Sequence, residues 1–346
     1  MNTDRKANGK MPLGMRECSQ PYSYPIGVAK WLVFVAGWIK SAVGRSMTLA
    51  RISFPTLLCF LLIACNPTSE RPRRTALVFG GGGARGAAEV GVLKYLEEVG
   101  VKVDCVAGTS MGAVIGSLYA AGYSAGEIEQ LLLNEEWMWL FDREKLGEIS
   151  STRHLTGLLK GAYFREQMNK ALAKKDGQFF HHIQRPFCCV GTILSRAGFE
   201  EVDFNEGSVA DAVRISMAFP APGNLLAYQD GKHMADGGIV NNLPVNVARD
   251  SLKADIIIAI DLEQGDCDFK IGVPTIGLLT RWFNTRPDVP RRLKNIDDAD
   301  IYIHPNLKEY SIADYDRESL QQMIDSGYVA ARRQHSELIR VMNIDH

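Results

Sequence analysis

The sequence predicts an α/β domain, a mostly parallel sheet with helices on its flanks. Two stretches carry that expectation. An apolar run at Thr75–Phe79 ends in glycines and gives way to apolar residues at helical spacing. A second run, Val103–Ala107, passes through Gly108-Thr109-Ser110 into another helical stretch that reaches Ala121. Parallel neighbours need crossover connections, which repeated strand-to-helix units supply. Three later runs, Pro186–Leu194, Asp255–Leu262 and Asp300–Pro305, are apolar over strand length, as strands covered on both faces are.

With 346 residues, 46% of them hydrophobic and 23% charged, the chain can bury a large core. A formal net charge of -1, with no basic run beyond Arg71-Pro72-Arg73-Arg74, offers no field for a phosphate backbone. Nucleic acid is therefore not expected as a partner. Seven cysteines, at positions 18, 59, 65, 105, 188, 189 and 267, form no CxxC pair and no Cys/His ligand spacing. Neither a disulfide framework nor a metal site is expected, and Cys188 and Cys189, adjacent in one strand, should face opposite ways.

Residues 1–65 read as a targeting region. From Met47 the chain runs MTLARISFPTLLCFLLIAC, with Arg51 ahead of an apolar stretch, Ile52–Ile63, too short to span a bilayer comfortably. Leu62-Ile63-Ala64-Cys65 resembles the lipobox of bacterial lipoprotein signal peptides, which implies a signal over 47–64 and a lipidated Cys65. Asn66, where an aspartate favours inner-membrane retention in such proteins, points to the outer membrane of a Gram-negative cell envelope. Met47 is then the expected initiator, and residues 1–46 an over-extended start; the other reading makes Val28–Val43 a second, weak hydrophobic segment. Cys65 itself has the plainer alternative of a buried apolar cysteine or a simple membrane anchor. Asn66–Arg74 is a polar, proline-bearing tether, and one domain is expected over 75–346.

Within that domain Val92, Tyr95, Leu96 and Val99 recur on one helical face before Gly100 stops the helix. Leu131–Phe180 reads as helical, broken by glycines, and contains EEWMWLFD at Glu135–Asp142. Trp137–Phe141 fits either a lid that touches lipid or aromatic core filler, and core is the favoured reading because such side chains bury well. Ser319–Arg340 is expected to close the domain as one amphipathic helix.

The loop FGGGGARG places Gly81-x-Gly83-x-x-Gly86 between a strand and a helix, the setting of a dinucleotide fingerprint. That use also needs an acidic residue at the far end of the second strand. Asp104 has the spacing but stands at the strand's start, so nucleotide binding is disfavoured. Converging amides at a helix N-terminus can instead hold a phosphate or the oxyanion of an acyl-transfer intermediate. Arg85 has two readings, an anchor of the loop or a contact for a lipid phosphate, of which the anchor is favoured.

Gly108-Thr109-Ser110-Met111-Gly112 is a G-x-S-x-G pattern set between strand and helix signals, where a sharp turn lifts a hydroxyl above the sheet. The reading as a nucleophile competes with that of a small structural serine. A nucleophile needs a base. The histidines downstream, at 154, 181, 182, 233, 304, 335 and 346, lack a setting that marks a positioned catalytic group. HMADGGIVNNLPV (His233–Val245) is more distinctive: a short strand, Asp236-Gly237-Gly238, then Pro244 placed to open a helix. Its plain alternative is an Asp-Gly turn.

In that order, the glycine loop Gly81-Gly82-Gly83-Ala84-Arg85-Gly86, the elbow around Ser110 and Asp236-Gly237-Gly238 resemble the three signature blocks of patatin-like phospholipases. The likeness covers roughly residues 75–335 and includes SMAFPAPGNLL at Ser216–Leu226. One departure is Gly80, where some members carry aspartate. The resemblance implies a three-layer α/β/α fold and hydrolysis of acyl esters in phospholipids or lysophospholipids, without metal or organic cofactor. It also implies a catalytic pair of Ser110 and Asp236, with the Gly81, Gly82 and Gly83 amides as oxyanion hole and Gly86, Gly108, Gly112, Gly237 and Gly238 shaping the motifs. Such a carboxylate must lie within hydrogen-bond reach of the serine, with a pKa raised by a drier site. Two rivals stand beside it: a Ser-His-Asp esterase that uses a late histidine, and a membrane-tethered binding protein without turnover.

Overall fold

The computed structural model describes residues 72–137, 153–195, 197–219, 227–264 and 287–342. The expected signal, Cys65, and Trp139 and Phe141 of the aromatic cluster lie outside them. The described strands form one sheet: β1 (Thr75–Phe79), β2 (Cys105–Thr109), β3 (Phe187–Leu194), β4 (Phe199–Phe204), β5 (Ala227–Gln229), β6 (Lys232–Asp236), β7 (Ile256–Ile260) and β8 (Ile301–Ile303). The order is β5-β6-β3-β2-β1-β7-β8, with β4 paired to β3 off that path. From β3 through β2, β1 and β7 to β8 the pairing is parallel, while β4 and β6 run antiparallel to β3 and β5 antiparallel to β6.

Strands β1, β2 and β7 are buried at every position because alternate side chains enter two different cores. Leu77, Phe79, Val106, Cys189 and Ile258 fill one; Ala76, Val78, Ala107, Cys188 and Ile257 fill the other. Over the first core lie α1 (Ala87–Glu98), α2 (Met111–Ala120), α3 (Ala125–Leu132), α4 (Arg153–Ala173), α5 (Val209–Ser216) and, after two further helices, α8 (Arg317–Arg333). Over the second lies α6 (Val245–Asp250), with Ile296 of α7 (Asp288–Asp297) packed beside it. The result is a three-layer α/β/α sandwich. Trp137 is 6% exposed and belongs to the first core. Full burial of residues such as Leu77 and Phe79 stabilises the body by roughly 1.5–3 kcal/mol each.

Three expectations are corrected. β2 begins at Cys105, because the Asp104 carboxylate accepts the Thr75 amide at 2.9 Å and caps the sheet at the start of β1. That places Asp104 at the end of the sheet away from the glycine loop, out of reach of any dinucleotide bound there. The closing helix is two, α8 and α9 (His335–Met342), divided at Gln334, where neither glycine nor proline marks the break. His335 Nδ1 there lies 2.7 Å from the Tyr95 hydroxyl. Finally, the last residues of the expected tether are part of the domain: the Arg74 amide donates to the Asp255 carboxylate at 2.8 Å, and Arg73 reaches the Val341 carbonyl.

Glu89, in the first turn of α1, is fully buried, and neither of its carboxyl oxygens has a hydrogen-bond partner. Burial drives its pKa well above the usual carboxylate range; the nearby Gly80 amide, already given to the Ile260 carbonyl at 3.0 Å, offsets only part of this. The folded protein therefore keeps a proton that the unfolded chain releases, and stability falls as pH rises from the unfolded value towards the folded one. Glu89→Gln, a neutral isostere, is expected to match wild type near pH 4 and to gain on it at higher pH. Across the titration window the gain approaches about 1.4 kcal/mol per pH unit, read as the urea midpoint against pH.

Candidate active site

One edge of β3 brings the two motif residues together. β2 occupies its first half, with Thr109 opposite Val190, and β6 occupies its second half, with Asp236 opposite Gly191. The other edge is taken by β4 from Cys189 to Leu194, so β2 and β6 must share this one, running in opposite directions. Their ends meet. Ser110 is the residue after β2 and Asp236 is the last of β6, and both chains turn away from the sheet there. The Ser110 hydroxyl donates to Asp236 Oδ2 at 2.7 Å.

Ser110 stands at φ 55°, ψ -123°, a conformation costing a side-chain-bearing residue about 1–3 kcal/mol. Its surroundings hold it there. The Ser110 amide donates to Ser216 Oγ at 2.9 Å, the Thr109 hydroxyl donates to the Asn241 carbonyl at 2.9 Å, and the Ser110 carbonyl accepts the amides of Ala113 and Val114 as α2 begins. The turn is tight enough that a Cβ on Gly112 would lie 2.5 Å from the Phe79 carbonyl oxygen and 2.6 Å from that of Gly80. Gly108 faces Gly112 at similar range, which explains small residues on both sides of the serine.

Asp236 is 4% exposed. Burial pushes its carboxyl up to about 6, against the hydrogen bonds from Ser110 and from the Gly238 amide, which favour the ionised form. The Gly238 amide reaches Oδ1 at 2.8 Å and leaves Oδ2 to the serine. Thr192 Oγ1 donates to the Asp236 carbonyl at 2.8 Å and the Asp236 amide donates to the Ala218 carbonyl at 3.0 Å, so the residue is fixed from both sides. A carboxylate so placed can take a proton from the hydroxyl directly.

The glycine loop passes close by, since a Cβ on Gly81 would lie 3.2 Å from that of Ser110. The expectation of three open amides narrows to two: the Gly81 amide donates to the Asn242 carbonyl at 3.0 Å, whereas those of Gly82 and Gly83 have no acceptor among the described residues. Ala84 donates to the Ile312 carbonyl at 2.9 Å and Arg85 Nε to that of Tyr310 at 2.8 Å, so Arg85 ties the loop to the segment before α8. Gly86 abuts Met111 at the start of α2, and Gly237 abuts the Val190 carbonyl.

The histidines have other places. His304 Nδ1 lies 2.9 Å from the Asp261 carbonyl and His181 and His182 lie against Phe179, while His346 and the side chain of His154 are outside the described residues. Among the described residues no cluster of three His, Cys, Asp or Glu side chains is placed to hold a metal. Two positions went unread in the sequence. Ser216 and Asn242 both lie in stretches the motifs had marked, but only the turn geometry shows what they hold.

A strand-to-helix elbow carrying a serine against a buried carboxylate defines a class of α/β protein. A family model described as patatin-like phospholipase matches residues 77–249, half of the chain, and the chain belongs to that family. It is 36% identical over 194 residues to patatin-like phospholipase domain-containing protein 6 of Homo sapiens, a match covering 55% of this chain and 13% of that protein. It is 31% identical over 277 residues to lysophospholipase nte1 of Emericella nidulans, covering 70% of this chain and 17% of the other. The chain thus spans less than a fifth of the length of either relative. Among solved structures, VipD from Legionella pneumophila is similar with a TM-score of 0.46 and 18% identity, over 78% of this chain and 67% of that one.

Because the elbow leaves no room at Gly112, Gly112→Ala is expected to lower stability by about 1–3 kcal/mol through overpacking. Chemical denaturation with matched m-values measures it; a loss below a few tenths would show that the turn gives way easily.

Proposed function

We propose that this chain is a serine acyl hydrolase that cleaves fatty-acyl esters of phospholipids or lysophospholipids. The hydrogen bond of 2.7 Å from Ser110 to a buried Asp236 supports this reading more than any other observation. Ser110 Oγ attacks the ester carbonyl carbon as its proton passes to Asp236 Oδ2. The tetrahedral intermediate expels the alcohol, which takes that proton, and leaves an acyl-enzyme. Water then attacks the acyl carbon, giving its proton to Asp236, and the fatty acid departs as Ser110 is reprotonated. The open amides of Gly82 and Gly83 and the N-terminus of α2 favour negative charge on the substrate oxygen. The direct contact of this carboxylate with the serine supports Asp236 over a late histidine as base. The names of two relatives, a phospholipase-domain protein and a lysophospholipase, support the substrate class.

Purified protein assayed on phospholipids, lysophospholipids and short esters tests this. Ser110→Ala and Asp236→Asn are each expected to lose at least about 10³-fold in kcat. In wild type, kcat/KM should rise with pH through about 6, because the base acts only when ionised and its folded pKa is raised to that value. Asp236→Asn with wild-type turnover, or loss of orders of magnitude on replacing His304 or His335, argues for a histidine base. A fluorophosphonate that labels neither wild type nor Ser110→Ala supports the binding-protein reading.

The same proposal puts the enzyme at its substrate through a lipid on Cys65, in the outer membrane of a Gram-negative envelope. A lipid anchor raises the local concentration of enzyme at the interface. Expressed in a bacterial host fed radiolabelled palmitate, wild type should take up label and Cys65→Ala should not; equal labelling sinks the anchor.

A further inference from the structure

Asn242 grips one residue of the glycine loop at two points. Its backbone carbonyl accepts the Gly81 amide at 3.0 Å, and its side-chain Nδ2 donates to the Gly81 carbonyl at 3.1 Å. The second contact matters because of what shares that peptide. The Gly81 carbonyl and the Gly82 amide belong to one planar trans unit, in which C=O and N–H point in opposite directions. Holding the oxygen towards Asn242 therefore directs the Gly82 N–H away from it. That N–H is one of the two loop amides with no acceptor among the described residues.

The grip also couples two motifs. The Asn242 side chain lies between Gly81 and Gly238, and a Cβ on Gly238 would meet its Oδ1 at 2.7 Å. Gly238 supplies the amide bonded to Asp236 Oδ1. Asn241, the preceding residue, is fully buried; its amide donates to the Gly237 carbonyl at 2.9 Å, and its own carbonyl accepts the Thr109 hydroxyl. Its side chain donates to Glu201 Oε1 and Asn246 Oδ1 and accepts from Asn295 Nδ2, so the backbone that presents Asn242 is tied to β4, α6 and α7. One rigid segment thus carries both the support of the carboxylate and the hold on the loop.

We propose that Asn242 is a positioning residue for oxyanion stabilisation, its Nδ2–H···O=C bond to Gly81 turning the Gly82 amide into the site. This rests on the reading of Ser110 and Asp236 as a hydrolytic pair. Without that bond the peptide is free to rotate, and its carbonyl can face the developing oxyanion in place of the amide.

The test compares the full-length wild type with Asn242→Asp, which keeps the shape and replaces the donor with an acceptor, and with Asn242→Ala, which removes it without adding charge. Val247→Ala, which opens a cavity in the second core where α6 packs on the sheet, controls for lost stability. Both Asn242 variants should lose about 10²-fold in kcat, with KM within about twofold, as removal of one oxyanion donor does. Phosphonylation of Ser110 by a fluorophosphonate should slow in parallel, because the phosphoryl oxygen uses the same donors. Val247→Ala should lower the melting temperature and leave kcat near wild type. The proposal is overturned if the folded Asn242 variants keep wild-type kcat, if their loss falls on KM alone, or if Val247→Ala loses as much kcat at an equal loss of melting temperature. Activity that survives Ser110→Ala removes the hydrolytic pair, and this proposal with it. Full kcat in an Asn242 variant while Ser110→Ala is inactive removes this proposal alone.

Discussion

The edge of β3 shared by β2 and β6 sets everything else about the site. A strand edge offers one row of hydrogen-bonding groups, and two strands can occupy the same row only end to end. Because β2 runs parallel to β3 and β6 antiparallel, the two approach each other head-on and must both leave the sheet between Val190 and Gly191. That forced exit puts the Ser110 hydroxyl and the Asp236 carboxylate at hydrogen-bond distance without any side chain reaching for the other. A register slip of one residue in β6 would turn Asp236 to the opposite face of the sheet.

Two buried carboxyl groups lie close to the glycine loop, and their partners separate them. Glu89 has no side-chain partner and no opposing charge, only the nearby Gly80 amide to favour its anion, and burial pushes its carboxyl well above the usual range. Asp236 receives a hydroxyl and an amide, one on each oxygen, and burial raises its carboxyl only to about 6. Desolvation raises both; only the hydrogen bonds to Asp236 bring it back into a useful range. The strained backbone at Ser110 has the same logic, a cost borne locally and held by Ser216, Thr109 and the first turn of α2.

Much of this was legible in the sequence, for identifiable reasons. The parallel strands announce themselves because burial on both faces makes them continuous apolar runs, as at Ile256–Ile260. Glycines around Ser110 and after Asp236 mark turns that no other residue fits. What stayed hidden has physical causes too. β4, Phe199–Phe204, carries Glu200, Glu201 and Asp203 and is only partly buried, so it lacks an apolar run to detect. The break at Gln334 has no special residue, and α5 and α7 are short, the latter strongly charged. Ser216 and Asn242 act through bonds to backbone groups 106 and 161 positions away, which no local pattern encodes.

The family match ends at residue 249, yet β7 pairs with β1 along its whole length, and the bonds from Ala84 and Arg85 end on the carbonyls of Ile312 and Tyr310. The segment that the family model covers is thus smaller than the unit that folds. A fragment cut at the limit of the match would bare the β1 edge at the centre of the sheet as a flat apolar row of unpaired amides, a template for aggregation. It would also leave the glycine loop without its outer attachments. Where the family model stops in this chain, the bonds that hold the sheet and the glycine loop do not.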